Sequence, residues 1–390
     1  MLLYDPIRIG TLLEERGADG LLAASPRHVR YLTRFPKAGG TLALVLRDSP
    51  TEPILIVPSF SLDFILEELA ETAEVHAYGE FVRNFTADQD LDEVEKRIAH
   101  LHENTHRDRD RDGCVAAILR QRGLASARLL TDVVVGEIAG LSQHLPSLEL
   151  LSEATAFKKL RIVKTEEEIR RLSEVARITE EAIADTIAQV AEKVSQAELA
   201  RCFHLAVADR GAELRLANIS FGRSGAFGNA NIPEDLLKPG QIIRFDVGAI
   251  KGGYVSDMSR CFGFREVGEK ARRFYNALHA GQQAAVAELR PGRLAREVFE
   301  IATQVVRSSG MPHYQRTNVG HGIGLHGDGY DLPQLAPRDN TVLEPGMVLC
   351  IETPYYEIGF GGLQVEDMVV MTEDKPMFLT TSRNDLQIVT

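Results

Sequence analysis

Short apolar runs alternate with helix-period segments through the first ~155 residues. Ile9 to Arg16 has helical spacing and is closed by Gly17. Gly20 to Ala23, Thr41 to Leu46 and Ile54 to Val57 are short runs bounded by Gly, Pro or Asp, and they predict strands. Arg107 to Asp112 alternates in sign and predicts a solvated turn or helix end. From Thr165 the period changes. Thr165 and Glu168 form a capping-box pair, and Ile169, Leu172, Ala176, Ile183, Ile187 and Val190 recur at helical spacing. Ser195 and Glu198 repeat the capping pattern at a second helix. The change of pattern predicts a mixed α/β domain over residues 1–158 and a second domain over 159–390.

The second half carries an internal repeat. Leu237-Lys238-Pro239-Gly240 and Leu343-Glu344-Pro345-Gly346 each introduce a β-rich strand that ends in an acid, Asp246 in one copy and Glu352 in the other. Each copy continues into a Gly-Gly pair, Gly252-Gly253 or Gly361-Gly362, and a further strand. This predicts two related halves within one domain.

Composition narrows the class. A chain of 390 residues with 44% hydrophobic and 26% charged residues is an ordinary globular protein of about two domains. A net charge of −12 argues against nucleic acid or an anionic membrane as the main partner. No apolar run approaches the ~18 residues of a membrane span, and no basic segment precedes an apolar one near Met1. Cys114, Cys202, Cys261 and Cys350 are scattered, with no Cys-x-x-Cys pair, so a reducing cytoplasm is the expected setting.

The acids at the repeat carry the chemistry. Asp246 ends the apolar run Ile242 to Val247, where an uncompensated charge is costly. Asp257 lies on the next strand, Tyr254 to Phe264. With a hairpin centred on Lys251-Gly252, Asp246 and Asp257 face each other. Opposed Cβ atoms sit about 4.5–5.5 Å apart, and like charges there repel unless a cation or a shared proton intervenes. Glu352 and Glu366 are symmetric about Gly359 and are expected to form a second facing pair. Between the pairs lies Gly320-His321-Gly322-Ile323-Gly324-Leu325-His326-Gly327, whose glycines let a histidine approach closely. Four carboxylates and one imidazole suit manganese, iron, cobalt or zinc. Two such cations ~3.5–4 Å apart, sharing a water, would make that water a nucleophile near neutral pH.

These motifs resemble the pita-bread metallopeptidases: prolidase, aminopeptidase P and methionine aminopeptidase, with creatinase as a metal-free relative. The family pattern is an Asp, a second Asp eleven residues on, a Gly-rich His motif, a Glu after Leu-x-Pro-Gly and a final Glu in a Glu-Asp pair. Asp246, Asp257, His321, Glu352 and Glu366 match its five metal ligands. Gly17-Ala18-Asp19-Gly20-Leu21-Leu22 and Pro26 to Thr33 are similar to the opening of the creatinase and prolidase N-terminal domain, which methionine aminopeptidases lack.

The resemblance implies a creatinase-type α/β domain followed by a pita-bread catalytic domain. It implies a hydrolase with two divalent cations, manganese first, with cobalt, zinc or iron as alternatives. Glu352 would relay the water proton to the leaving nitrogen, His321 would be a catalytic ligand, and the chain would form a homodimer. Departures from the pattern bear on substrate. Asn229 stands where the family has a substrate-contacting His. A second His position falls on Asp328, or on Tyr330 if the loop holds a two-residue insertion. Gln364 replaces an Arg, which should weaken the charge balance beside the cations. Asn229, His326, Tyr330 and Gln364 are therefore the expected pocket residues. Three functions follow as expectations: an Xaa-Pro dipeptidase or aminopeptidase, a hydrolase of a specialised small amide, and a non-catalytic peptide-binding module.

Overall fold

The structure is a computed structural model that describes residues 1–37, 39–84, 90–327 and 329–390. The chain divides into two compact units, Met1–Arg161 and Ile162–Thr390.

The first unit is built on β1 (Gly20–Ala23), β2 (Leu42–Leu46), β3 (Ile54–Pro58), β4 (Glu74–Tyr78), β5 (His106–Asp108), β6 (Arg128–Thr131) and β7 (Glu149–Ser152). Their order is β5-β4-β3-β2-β1-β6-β7. The central pairs β1-β2 and β2-β3 are antiparallel and the flanking pairs are parallel. The helix Arg111–Gln121, which joins β5 to β6, buries Val115, Ile118 and Leu119 against the sheet. The helix read from Ile9 begins earlier, at Pro6, because Asp5 caps Ile7 N–H and proline occupies the first turn. The alternating Arg-Asp run is only partly a turn. Its first residues join the edge strand β5, where charge is tolerated, and Asp110 caps the next helix.

The second unit carries β8 (Glu213–Phe221), β9 (Ile242–Lys251), β10 (Tyr254–Val255), β11 (Met258–Phe264), β12 (Gly320–Gly322), β13 (Asp331–Gln334) and β14 (Val348–Glu352). It continues with β15 (Tyr355–Glu357), β16 (Gly361–Leu363), β17 (Glu366–Val370), β18 (Met377–Phe378) and β19 (Gln387–Val389). One sheet runs β10-β9-β11-β17-β14-β12-β13, with β8 on β9, β18 on β17 and β19 on β11; β15 and β16 form a separate ribbon. Two helices precede each copy of the repeat, Glu166–Ile187 and Gln196–Asp209 in the first, Glu269–Ala287 and Ala295–Ser308 in the second. The Thr165–Glu168 capping box forms, and its helix ends at Ile187, short of Val190. Both Leu-x-Pro-Gly segments are the same tight turn. Gln241 N–H donates to Lys238 O and Met347 N–H to Glu344 O, each at 3.2 Å, with Gly240 and Gly346 at φ 81° and 84°. No helix among the described residues is long and apolar enough to cross a membrane.

The register of the first hairpin differs from the sequence reading. Gly252 and Gly253 both have positive φ, 55° and 82°, as a two-residue type I′ loop requires, so Tyr254 pairs with Lys251. Asp246 therefore faces Ser259 rather than Asp257. Glu352 faces Glu366, as the symmetry about Gly359 predicts.

Candidate metal centre

Strand pairing alone gathers the acids. Ser259 pairs with Asp246 on one side and Glu366 on the other, and Glu366 pairs with Glu352. Paired residues share a face, so Asp246, Glu366 and Glu352 point the same way from a single row across β9, β11, β17 and β14. Two residues along, Cys350 pairs with His321 and with Met368. Asp257 enters the same face from the chain just before β11. Its Oδ2 lies 3.7 Å from His321 Nε2, and Glu366 Oε1 lies 3.9 Å from that nitrogen. Ligand atoms of Asp257, His321, Glu366 and the Cys350 thiol all fall within 4.8 Å of one another.

The electrostatics explain what this crowding costs. Burial lifts Asp246 to about 6 against the pull of Arg244, and the Asp257 charge adds to the rise. Burial lifts Glu352 to about 7 against Arg316. Asp257 is raised by burial, and Glu366 is raised well above the carboxylate range by burial and by the charges of Asp257, Glu352 and Asp246. The imidazole behaves oppositely. Burial lowers His321 to about 4, which keeps it neutral. Its Nδ1 meets Gly322 O at 3.1 Å; a carbonyl only accepts, so Nδ1 carries the proton and Nε2 presents its lone pair to the acids. Four carboxylates that repel one another, facing a free imidazole nitrogen, fit divalent cations.

A cavity of about 410 Å³ opens over this face. Asn229, Tyr330 and Gln364 line it. Tyr330 stacks on His321 at a centroid separation of 3.6 Å. Asp328, the alternative to Tyr330, lies outside the described residues. His326 does not line the cavity: its N–H is bonded to Gly253 O at 2.7 Å and the residue is exposed, so its expected place in the pocket is not realised. Gln364 bridges the two glutamates, with Nε2 3.3 Å from both Glu352 Oε2 and Glu366 Oε2.

A guanidinium reaches Gln364 from the other copy of the repeat. Arg244, two residues before Asp246, donates to Asp246 Oδ2 at 3.1 Å and to Gln364 Oε1 at 2.8 Å. It was legible in principle, since period two on β9 places it on the face of Asp246. Arg215, paired with Asp257 at 2.7 Å, was not, because the β8–β9 register includes a shift between Leu214 and Leu216. Arg316, Asn318 and Tyr356 line the cavity from loop and ribbon positions that carry no sequence signal.

The sequence model of Metallopeptidase family M24 matches residues 170–373, more than half of the chain. The chain belongs to family M24. The Creatinase/Prolidase N-terminal domain model matches residues 8–172 of this M24 protein, which is a metal-dependent hydrolase by family. An uncharacterised peptidase, YqhT of Bacillus subtilis, is 25% identical over 388 residues, covering 98% of this chain and 99% of the relative. A Xaa-Pro dipeptidase of Pyrococcus furiosus is 30% identical over 231 residues, covering 59% of this chain and 66% of the relative. The solved structure of a Xaa-Pro dipeptidase from Bacillus anthracis superposes with a TM-score of 0.79 at 23% identity, covering 98% of this chain and 99% of that one; it has the same fold.

Proposed function

We propose that this M24 protein hydrolyses a peptide or amide bond with two divalent cations held by Asp246, Asp257, His321, Glu352 and Glu366. One observation carries the reading: three buried acids, the half-buried Glu352 and an unprotonated imidazole nitrogen converge on a single cavity. The oxygen-rich donor set favours manganese, with cobalt, zinc and iron as competitors. When bound, two cations polarise an amide carbonyl and acidify a water. Glu352 would take the proton of the attacking water and hand it to the departing nitrogen. Gln364 holds Glu352 and Glu366 apart at fixed separation, and Arg244 and Arg215 fix Asp246 and Asp257. Tyr330 and Asn229 shape the walls where substrate enters.

The test compares wild type, Asp257→Ala and Glu352→Ala on Xaa-Pro dipeptides, longer Xaa-Pro peptides and simple amides, with metal content measured on each preparation. Turnover should fall at least ~10³-fold in both variants. Full activity of metal-stripped wild type would end the proposal. A second reading, a specialised small amide, is favoured by Asn229, and by Asp328 or Tyr330, standing where the family has histidines. It is chosen if Xaa-Pro peptides are inert and Asn229→His creates peptidase activity.

A further inference from the structure

Glu366 and Asp367 are neighbours on β17, so their side chains leave opposite faces of the sheet. Glu366 lines the cavity, and Asp367 is buried behind it, 1% exposed. A carboxylate there is costly unless it is fully hydrogen-bonded. Four donors meet it. Arg260 Nη2 and Thr380 Oγ1 donate to Oδ1 at 2.7 and 2.8 Å. Gln282 Nε2 and Asn384 Nδ2 donate to Oδ2 at 2.9 and 2.7 Å. Two of the four donors come from the irregular segment 380–384, past residue 373, where the match to the M24 model ends.

Arg260 carries this network to the metal face. Its Nη1 donates to Glu366 O at 2.7 Å and to Ser259 O at 2.9 Å. Ser259 is the residue paired with both Asp246 and Glu366. One buried guanidinium therefore holds the backbone of the carboxylate row from the rear while it pairs with Asp367. Ser382 closes over the same guanidinium, with Oγ 3.1 Å and O 3.3 Å from Nη2. Glu180 fixes the segment in turn, accepting from Thr381 N–H at 2.6 Å and from Ser382 N–H. Asn384 is fully used: its Oδ1 meets His279 Nε2 at 3.0 Å, and its carbonyl accepts from Tyr275.

A buried ion pair keeps its geometry only while the hydrogen bonds around it are made. Removing a donor from Asp367 draws Arg260 toward the oxygen left short and loosens its hold on Glu366 O. The load on the other face is large, because Glu366 stands against the charges of Asp257, Glu352 and Asp246. Metal ligation tolerates displacements of only about 0.2 Å. We propose that Arg260 and Asp367, locked by Thr380 and Asn384 of the C-terminal segment, are positioning residues for Glu366, so that closure of this segment and cation binding stabilise each other. This rests on the cation site put forward above, and not on the reaction performed there.

The experiment is calorimetric titration of the metal-stripped full chain with manganese. Wild type, Asn384→Ala, Thr380→Val, Thr380→Ser and Arg383→Ala are compared at a temperature where circular dichroism shows all five folded. Asn384→Ala and Thr380→Val each remove one bond to Asp367 and should weaken at least one manganese about 10-fold or more. Thr380→Ser keeps the hydroxyl and should stay within about threefold of wild type. So should Arg383→Ala, an exposed neighbour bonded to Asp385. Hydrogen exchange supplies the reciprocal reading. Coupling between two sites is mutual, so manganese should slow amide exchange in residues 380–390 of the wild type about 10-fold, and clearly less in Asn384→Ala. A merely structural role would lower the melting temperature of the variants and move neither reading. Unweakened binding in Asn384→Ala or Thr380→Val, equal weakening in Arg383→Ala, exchange indifferent to manganese, or a wild type that takes up no manganese would overturn the proposal. Turnover is read on the same preparations. Metal uptake and turnover in wild type with unaltered variants overturn the positioning role and leave the hydrolase reading standing. Both linkage effects without turnover do the reverse.

Discussion

Replacing Glu352 by Gln should stabilise the metal-stripped protein at pH 8 and leave it unchanged near pH 4.5. The ordinary value for a glutamate is 4.5, and burial lifts Glu352 to about 7. The folded state therefore keeps a proton that the unfolded chain has released. Between those values the native state binds more protons, so the free energy of unfolding falls as pH rises. The contribution is fully present below pH 4.5 and is lost as pH passes 7. The gap from 4.5 to about 7 corresponds to about 3 kcal/mol. Asp246, lifted from 3.8 to about 6, adds a similar slope over a lower window. The two acids feel each other's charge, so their sum is less than additive. Glutamine is neutral at every pH and keeps the length of the side chain. Urea unfolding followed by circular dichroism, from pH 4.5 to 8 with chelator present, should show the Glu352→Gln advantage growing to about 3 kcal/mol. Saturating manganese should remove that advantage, because the wild-type carboxylate then has its cation. Parallel pH profiles for the two proteins would refute the reasoning.

Further predictions concern the frame around the acids. Arg244→Met leaves Asp246, Gln364 Oε1 and Gly228 O without their guanidinium partner in a buried position, and should cost about 3–5 kcal/mol in the same urea assay. Gly346→Ala should cost more than Gly240→Ala. Both have positive φ, but an added Cβ at Gly346 meets Val163 Cγ1 at 2.8 Å and Lys164 O at 3.2 Å, whereas at Gly240 it meets only the Glu266 side chain. The strain alone is worth about 1–2 kcal/mol, and thermal unfolding of the pair separates strain from clash.

Much of the site was legible because the repeat marks it. The Leu-x-Pro-Gly turns set the start of β9 and β14, so the acid that ends each strand falls at an equivalent place. The symmetry about Gly359 carried the Glu352–Glu366 pairing through an irregular turn, since β15 and β16 keep the same register. The first hairpin misled by two residues because a Gly-Gly loop can be centred on either side of the first glycine. Only the observed positive φ of both residues selects the I′ loop. His326 was placed near the site by its distance along the chain from His321, but the backbone turns it toward Gly253 and the exposed surface. Arg215 escaped because it reaches Asp257 across a shifted β8–β9 register, and Arg316 because it lies in a loop; Arg244, on the strand of Asp246, was open to the period-two pattern. In the first unit, β5 was read as a turn because sign alternation resembles a solvated segment; an exposed edge strand satisfies the same pattern.

Metal stoichiometry tests the central claim most directly. Wild type and His321→Ala are stripped with chelator, dialysed against manganese, freed of excess ion and measured by elemental analysis, with circular dichroism to confirm that both are folded. The account predicts about two manganese ions per chain in the wild type, and a clear loss in His321→Ala, whose Nε2 is the nitrogen aimed at Asp257 and Glu366. Wild type that retains no metal, or His321→Ala that retains as much as wild type, would contradict it.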